Sequence, residues 1–200
     1  MHYDFIDNAG SRTFLLFHGT GGSKEDLVPL AKHIDPTANI VAFEGDVSER
    51  GMRRFFKRKS PGVFDVEDLK KRSKAALKTI ETITDKHGLD QTHLIAIGYS
   101  NGANLIASTL YVSAGVFEAV FLHHPMIPYE SGNMMQGATA KAFIGAGEND
   151  PICPKDHTTR VESLLEDCGA KVCLHWHAHG HSLTQGEADA AKKYYDDEVK

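Results

Sequence analysis

The stretch IAIGYSNGANLIA, residues 95–107, decides how the rest of the chain is read. Three apolar residues lead into Gly98-Tyr99-Ser100-Asn101-Gly102, and a helical pattern follows without a break. A strand that turns this sharply into a helix forces its central residue into a strained backbone conformation. The flanking Gly98 and Gly102 remove the β-carbons that would clash in such a turn. The G-x-S-x-G spacing is that of a nucleophile elbow, which lifts a serine hydroxyl above the sheet at the N-terminus of the next helix. Backbone N–H groups gather there and stabilise negative charge.

The chain around this motif has the composition of one soluble globular unit. Two hundred residues bury a sizeable single core. With 41% hydrophobic and 24% charged residues, disorder and coiled coil are poor readings. A net charge of -5 speaks against general nucleic-acid binding. No apolar run approaches the ~20 residues that cross a bilayer. The start, MHYDFIDNAGS, lacks the basic and apolar regions of a signal peptide. Cys153, Cys168 and Cys173 are odd in number and without CxxC spacing, which fits reduced thiols in a cytoplasmic protein.

Short β-rich runs alternate with helical patterns, the mark of an α/β fold with a mostly parallel sheet covered on both faces. Strands are expected at 13–19, 39–45, 93–99, 119–125, 140–147 and 171–178. Helices are expected at 24–34, 66–88, 101–113, 156–168 and 184–198. With no repeat, low-complexity tract or linker, residues 1–200 read as a single domain. Only residues 126–139 separate two of the strands, which leaves no room there for a lid domain.

Serine needs a base to become a nucleophile at neutral pH. With an elbow the partners follow in the order Ser, Asp or Glu, His. In FIGAGENDPICP a strand runs into a loop carrying Glu148 and Asp150, and Asp150 is the expected orienting acid. For the base, LHWHAHGHSLTQG offers His175, His177, His179 and His181. Alternation places His175 and His177 on one strand face with Cys173, and Leu174 and Trp176 on the other. Only His181 combines a strand-end position with a flexible turn before it, at Gly180. A zinc site on the remaining imidazoles lacks an acidic partner on that face within the segment, so no metal is expected.

The glycine-rich loop His18-Gly19-Thr20-Gly21-Gly22 follows the first strong strand. The N–H of Thr20 and the N–H of Asn101, the residue after the serine, are the expected oxyanion-hole donors. A phosphate-binding loop is excluded because the G-K-[ST] ending is missing. Residues 44–65 read as one long irregular basic loop. Arg50, Arg53, Arg54, Lys57, Arg58 and Lys59 surround Phe55 and Phe56, so the loop either lines the pocket or is a solvated segment anchored by two buried phenylalanines.

Five blocks together, LLFHGTGG, GMRRFFKR, GYSNGAN, GENDPICP and GHSL, resemble the phospholipase/carboxylesterase branch of the α/β-hydrolase superfamily, which includes acyl-protein thioesterases. The likeness is greatest to small bacterial carboxylesterases, including hydrolases linked to quinone resistance. The resemblance implies an α/β-hydrolase fold, hydrolysis of small to medium carboxylic esters without a cofactor, and a triad of Ser100, Asp150 and His181. Homodimers are common among such enzymes. Thioesterases usually carry Gln where Asn101 stands, and dienelactone-type enzymes usually carry Cys where Ser100 stands. A thioesterase, an enzyme of aromatic catabolism, a non-catalytic relative and a metal hydrolase built on the histidines are the competing readings.

Overall fold

The computed structural model describes residues 1–200. Its strands are β1 (His2–Ile6), β2 (Thr13–Phe17), β3 (Asn39–Glu44), β4 (Val47–Glu49), β5 (Met52–Arg54), β6 (Arg58–Ser60), β7 (Val63–Phe64), β8 (Leu94–Tyr99), β9 (Phe117–His123), β10 (Thr139–Gly147) and β11 (Lys171–His177). Seven of them form one sheet in the order β1-β3-β2-β8-β9-β10-β11. β1 runs antiparallel to β3, and every other pairing is parallel. Five helices, α1 (Val28–Ile34), α2 (Val66–His87), α3 (Asn101–Thr109), α4 (Lys155–Asp167) and α5 (Gln185–Tyr194), flank it.

Each parallel strand feeds both faces, which is why the strands read as continuous apolar runs. In β2, Leu15 and Phe17 join the core under α2, α3 and α4, while Phe14 and Leu16 join the core under α1 and α5. All four side chains are buried. Burial of each contributes roughly 1.5–3 kcal/mol. Helix ends follow local chemistry. The Asp65 carboxylate caps α2 by accepting the Asp68 N–H, and Gly88 closes it in the left-handed conformation at φ 63°.

The structure corrects several expected boundaries. α1 begins at Val28 rather than residue 24, because Pro29 is tolerated only in a helix's first turn. α3 stops at Thr109 rather than 113, where the Leu110 carbonyl is taken by the Met135 N–H. β9 ends at His123 rather than 125, since His124 turns left-handed at φ 54°. The α5 helix ends at Tyr194, and residues 195–199 continue it as a wider π turn. The antiparallel edge strand β1 has no counterpart among the expected elements. Residues 44–65 are not irregular: they hold two hairpins, β4–β5 and β6–β7. No helix is long and apolar enough to cross a membrane. All three cysteines are free thiols.

Candidate active site

The C-terminal ends of β2, β8, β10 and β11 converge on one cavity of about 310 Å³. Ser100 stands at its floor with φ 50° and ψ −109°, a strained geometry for a residue with a β-carbon. Its N–H donates to the His123 carbonyl at 2.8 Å, and its own carbonyl accepts the Asn104 N–H at 2.9 Å. Sterics dictate both flanking glycines. A β-carbon at Gly98 would lie 2.6 Å from Ile106 Cδ1 and 2.7 Å from the Ala103 nitrogen. One at Gly102 would be driven into the Phe17 carbonyl. The helix therefore sits as close to the sheet as backbone atoms allow.

His181 arrives from the turn after β11. That turn docks on β10 where Gly147 faces the Gly180 carbonyl, a contact that leaves no room for a β-carbon. The Tyr99 hydroxyl donates to the His181 carbonyl at 2.7 Å and its ring lies 5.4 Å from the imidazole. With the turn so held, Nε2 lies 2.9 Å from Ser100 Oγ, and Nδ1 lies 2.7 Å from Asp150 Oδ2. An ionised carboxylate only accepts, so Nδ1–H donates to Asp150 and leaves Nε2 as the acceptor for the serine hydroxyl. Asp150 is locked in turn: its Oδ1 accepts the N–H groups of Ile152 at 2.8 Å and Cys153 at 3.0 Å. Of the two acids in the loop, Glu148 points away and pairs with Lys155 at 3.7 Å.

Burial pushes the His181 imidazole below its ordinary value, and Asp150 only partly offsets it. The ring is therefore neutral at pH 7 and can accept a proton. Burial alone would raise the Asp150 carboxyl; the N–H of Cys153, the two imidazoles and the N–H of Ile152 outweigh it and hold the group ionised.

Thr20 and Asn101 border the same cavity as Ser100. The Thr20 N–H makes no hydrogen bond within the chain. Its loop is braced by the buried His18, whose Nδ1–H donates to the Gly19 carbonyl at 2.6 Å while Nε2 accepts the Gly45 N–H at 3.0 Å. Desolvation lowers His18 as well, consistent with this neutral tautomer. The Asn101 carboxamide accepts the Phe55 N–H at 2.7 Å and fixes the hairpins to the elbow. Asn101 Nδ2 is buried without a partner.

The basic hairpins do both things expected of them. Phe55 and Phe56 are buried in the core, while Arg54 and Arg58 line the cavity. Arg50, Arg53, Lys57 and Lys59 face solvent. Arg54 donates to Thr20 Oγ1 and to the Phe56 carbonyl, and burial, followed by the charge of Arg58, lowers its guanidinium to about 10. Both guanidiniums share a single carboxylate, Glu49, at 3.4 Å and 2.9 Å.

Of the four alternating histidines, only His181 meets the serine. His175 stacks on Phe143 with ring centroids 6.4 Å apart, and His179 is exposed. His177 finds an acid, Glu187, at 3.1 Å. No acid was expected on that face from within the segment; this one comes from α5. Three fully buried residues absent from the sequence reading complete the region: His123, His124 and Glu187. His124 Nδ1 lies 2.9 Å from Asp150 Oδ2, and its Nε2 lies 3.3 Å from Glu187 Oε2. His123 Nδ1 contacts Glu187 Oε1. Donor atoms of His124, Asp150 and His181, and of His124, His177 and Glu187, fall within 4.8 Å of one another. In both groups every facing ring nitrogen lies within hydrogen-bond distance of a carboxylate oxygen. The signal for this network was two histidines ending the apolar run AVFLHH.

The geometry agrees with what the chain is similar to. The family model described as dienelactone hydrolase family matches residues 41–199. The "Putative hydrolase MhqD" of Bacillus subtilis strain 168 is 39% identical over 199 residues, covering all of both chains. A Bacillus cereus carboxylesterase superposes with a TM-score of 0.94 at 40% identity, covering 97% of this chain and 92% of that one. YahD, solved with malic acid, gives 0.91 at 30% identity over 98% of each chain. The family model carries the dienelactone hydrolase description, and this chain has Ser100 at the elbow where dienelactone-type enzymes are expected to carry cysteine. With its α/β-hydrolase sheet, its elbow and a matching family model over most of its length, this chain is a hydrolase belonging to the dienelactone hydrolase family.

Proposed function

We propose that the chain is a serine carboxylesterase acting on small to medium esters through an acyl-enzyme. The observation that carries this reading is the unbroken line of hydrogen bonds from Ser100 through His181 to Asp150, opening on a cavity of about 310 Å³. That volume is at the small end of ligand sites and suits a short acyl group.

In this reading His181 Nε2 takes the proton of Ser100 as Oγ attacks the ester carbonyl. Negative charge builds on the carbonyl oxygen, facing the N–H groups of Thr20 and Asn101. The imidazolium, stabilised by Asp150, then gives its proton to the departing alcohol. Water enters, loses a proton to His181, attacks the acyl-enzyme carbon and releases the acid with Ser100 restored. None of these steps requires a cofactor. Arg54 and Arg58, with one carboxylate between them, favour acyl groups that carry a hydrogen-bond acceptor or a negative charge.

The test is hydrolysis of p-nitrophenyl esters from acetate to laurate, with a p-nitrophenyl hemisuccinate beside them, in the presence and absence of EDTA. Activity that ignores the chelator and drops on the order of 10⁶ in Ser100→Ala is the expected result, by comparison with other serine hydrolases. Equal activity in the two proteins would sink the reading.

A further inference from the structure

Asp150 receives two imidazoles on one oxygen, and the reaction outlined above uses only one. The second, His124, has carboxylates at both ring nitrogens: Asp150 Oδ2 lies 2.9 Å from Nδ1 and Glu187 Oε2 lies 3.3 Å from Nε2. Neither acid has an obvious proton to give. Asp150 has four hydrogen-bond partners and Glu187 three, every one a nitrogen; the N–H groups of Ile152 and Cys153 donate to Asp150, and His177, whose Nδ1 accepts the His179 N–H, donates to Glu187 from Nε2. A ring that donates from both nitrogens is an imidazolium. On that basis, and resting on the esterase reading for its catalytic consequence, we propose that His124 is a permanently protonated positioning residue, clamped between Asp150 and Glu187, which aims Asp150 at His181 and keeps His181 uncharged.

The surroundings are built for this. His124 holds its left-handed turn through an N–H to the Gly145 carbonyl at 2.7 Å and a carbonyl that accepts the Cys153 thiol at 3.2 Å. Gly145 makes room beneath β10, where a β-carbon would collide with the Glu187 carboxylate. Glu187 follows the α5 cap Thr184, whose hydroxyl accepts its N–H, so the carboxylate is turned inward rather than back to the cap.

The groups facing His124 are few. They are Asp150, Glu187, the rings of His181 at 5.0 Å, His177 at 5.3 Å and Tyr99 at 5.7 Å, and the Cys153 thiol. His123 joins through Glu187. Burial raises both the thiol and the Tyr99 phenol, so neither contributes charge. Desolvation pushes His124 down, but the bonds and charges of Glu187 and Asp150 outweigh it and hold it above its ordinary value. His181 faces Asp150, Ser100, Tyr99 and this cation, whose charge disfavours a second proton on His181.

The experiment uses the full chain with ¹⁵N-labelled histidine and no substrate. His124 is assigned by its loss in His124→Asn, a change that keeps a donor near the Nδ1 position and tolerates a positive φ. Both ring nitrogens of His124 are expected to stay protonated through the range in which an ordinary histidine titrates, about pH 6.5. An unprotonated ring nitrogen at neutral pH overturns the proposal, and this arm needs no variant to fold if sequential assignment replaces the mutant.

The second arm titrates the His181 ring in wild type, His124→Asn and Glu187→Gln. Losing the cation is expected to raise the His181 midpoint by about one pH unit, and Glu187→Gln to raise it by less, because the Glu187 charge also acts directly on His181 to favour its proton. A midpoint that stays put or falls in a folded variant counts against the proposal. The acid limb of kcat/KM on p-nitrophenyl acetate is expected to move up with it. If no variant and no wild type cleaves esters, the esterase reading fails while the two spectroscopic arms still decide the state of His124.

Discussion

Asp150 sits between two imidazoles that look alike from its side and differ in everything beyond. Both present Nδ1 to Oδ2, at 2.7 Å from His181 and 2.9 Å from His124. Behind His181, Nε2 meets a neutral hydroxyl at the mouth of a cavity. Behind His124, Nε2 meets a second buried carboxylate. The two rings are displaced in opposite directions, His181 below the ordinary value and His124 above it. Burial pulls the same way on both, so the partner at the far nitrogen decides. One carboxylate can thus serve a base that must lose its proton and a cation that must keep it.

The comparison breaks most visibly on the outer side. His181→Ala removes the base and is expected to cost on the order of 10⁶ in kcat on p-nitrophenyl esters, as loss of the base does in another serine hydrolase. A loss smaller than that of Asp150→Asn would mean that the two rings have been assigned the wrong way round. Asp150→Asn strikes both sides at once. It is expected to cost on the order of 10⁴ in kcat by favouring the wrong His181 tautomer. It is also expected to lower the stability that His124 draws from its clamp, read as a lower urea midpoint. The inner side is sharpened by Gly145→Ala, whose methyl intrudes on Glu187. About 1–3 kcal/mol of stability should be lost to overpacking, measured by denaturant unfolding. The His181 midpoint should rise as it does in Glu187→Gln; an unmoved midpoint would show that Glu187 does not act on His181 through His124.

Legibility in the sequence followed the same divide. The outer side was readable because each residue belongs to a local pattern: Ser100 between two glycines, Asp150 in a proline-bounded loop after a strand, and His181 behind Gly180. The inner side was not, because its members are polar residues placed where propensity expects apolar ones. His123 and His124 close an apolar run and pass for more strand. Glu187 occupies the third helical position after Thr184, where an acid looks like part of an N-terminal cap. Only the sheet order, which puts β9 beside β10 and α5 beneath both, shows that they meet. The hairpins of residues 47–64 escaped for a different reason. Strands of two or three residues give no periodicity to read, and their order comes from Phe55, Phe56 and the Asn101 carboxamide holding them down.

Those hairpins lie outside the seven-stranded sheet, yet they supply Met52, Arg54, Arg58 and Phe64 to the cavity wall. In the esterase reading, reaction and recognition therefore fall to different parts of the molecule. The elbow, the acid and the base are fixed by close backbone contacts that tolerate almost no change. The wall opposite them is an appendage whose exposed tips turn through Gly51 and Gly62 in the left-handed region, at φ 84° and 76°, with nothing else of the chain packed against them. In the esterase reading, substitutions in residues 47–64 are therefore expected to change which ester is accepted while leaving the line from Ser100 to Asp150 in place.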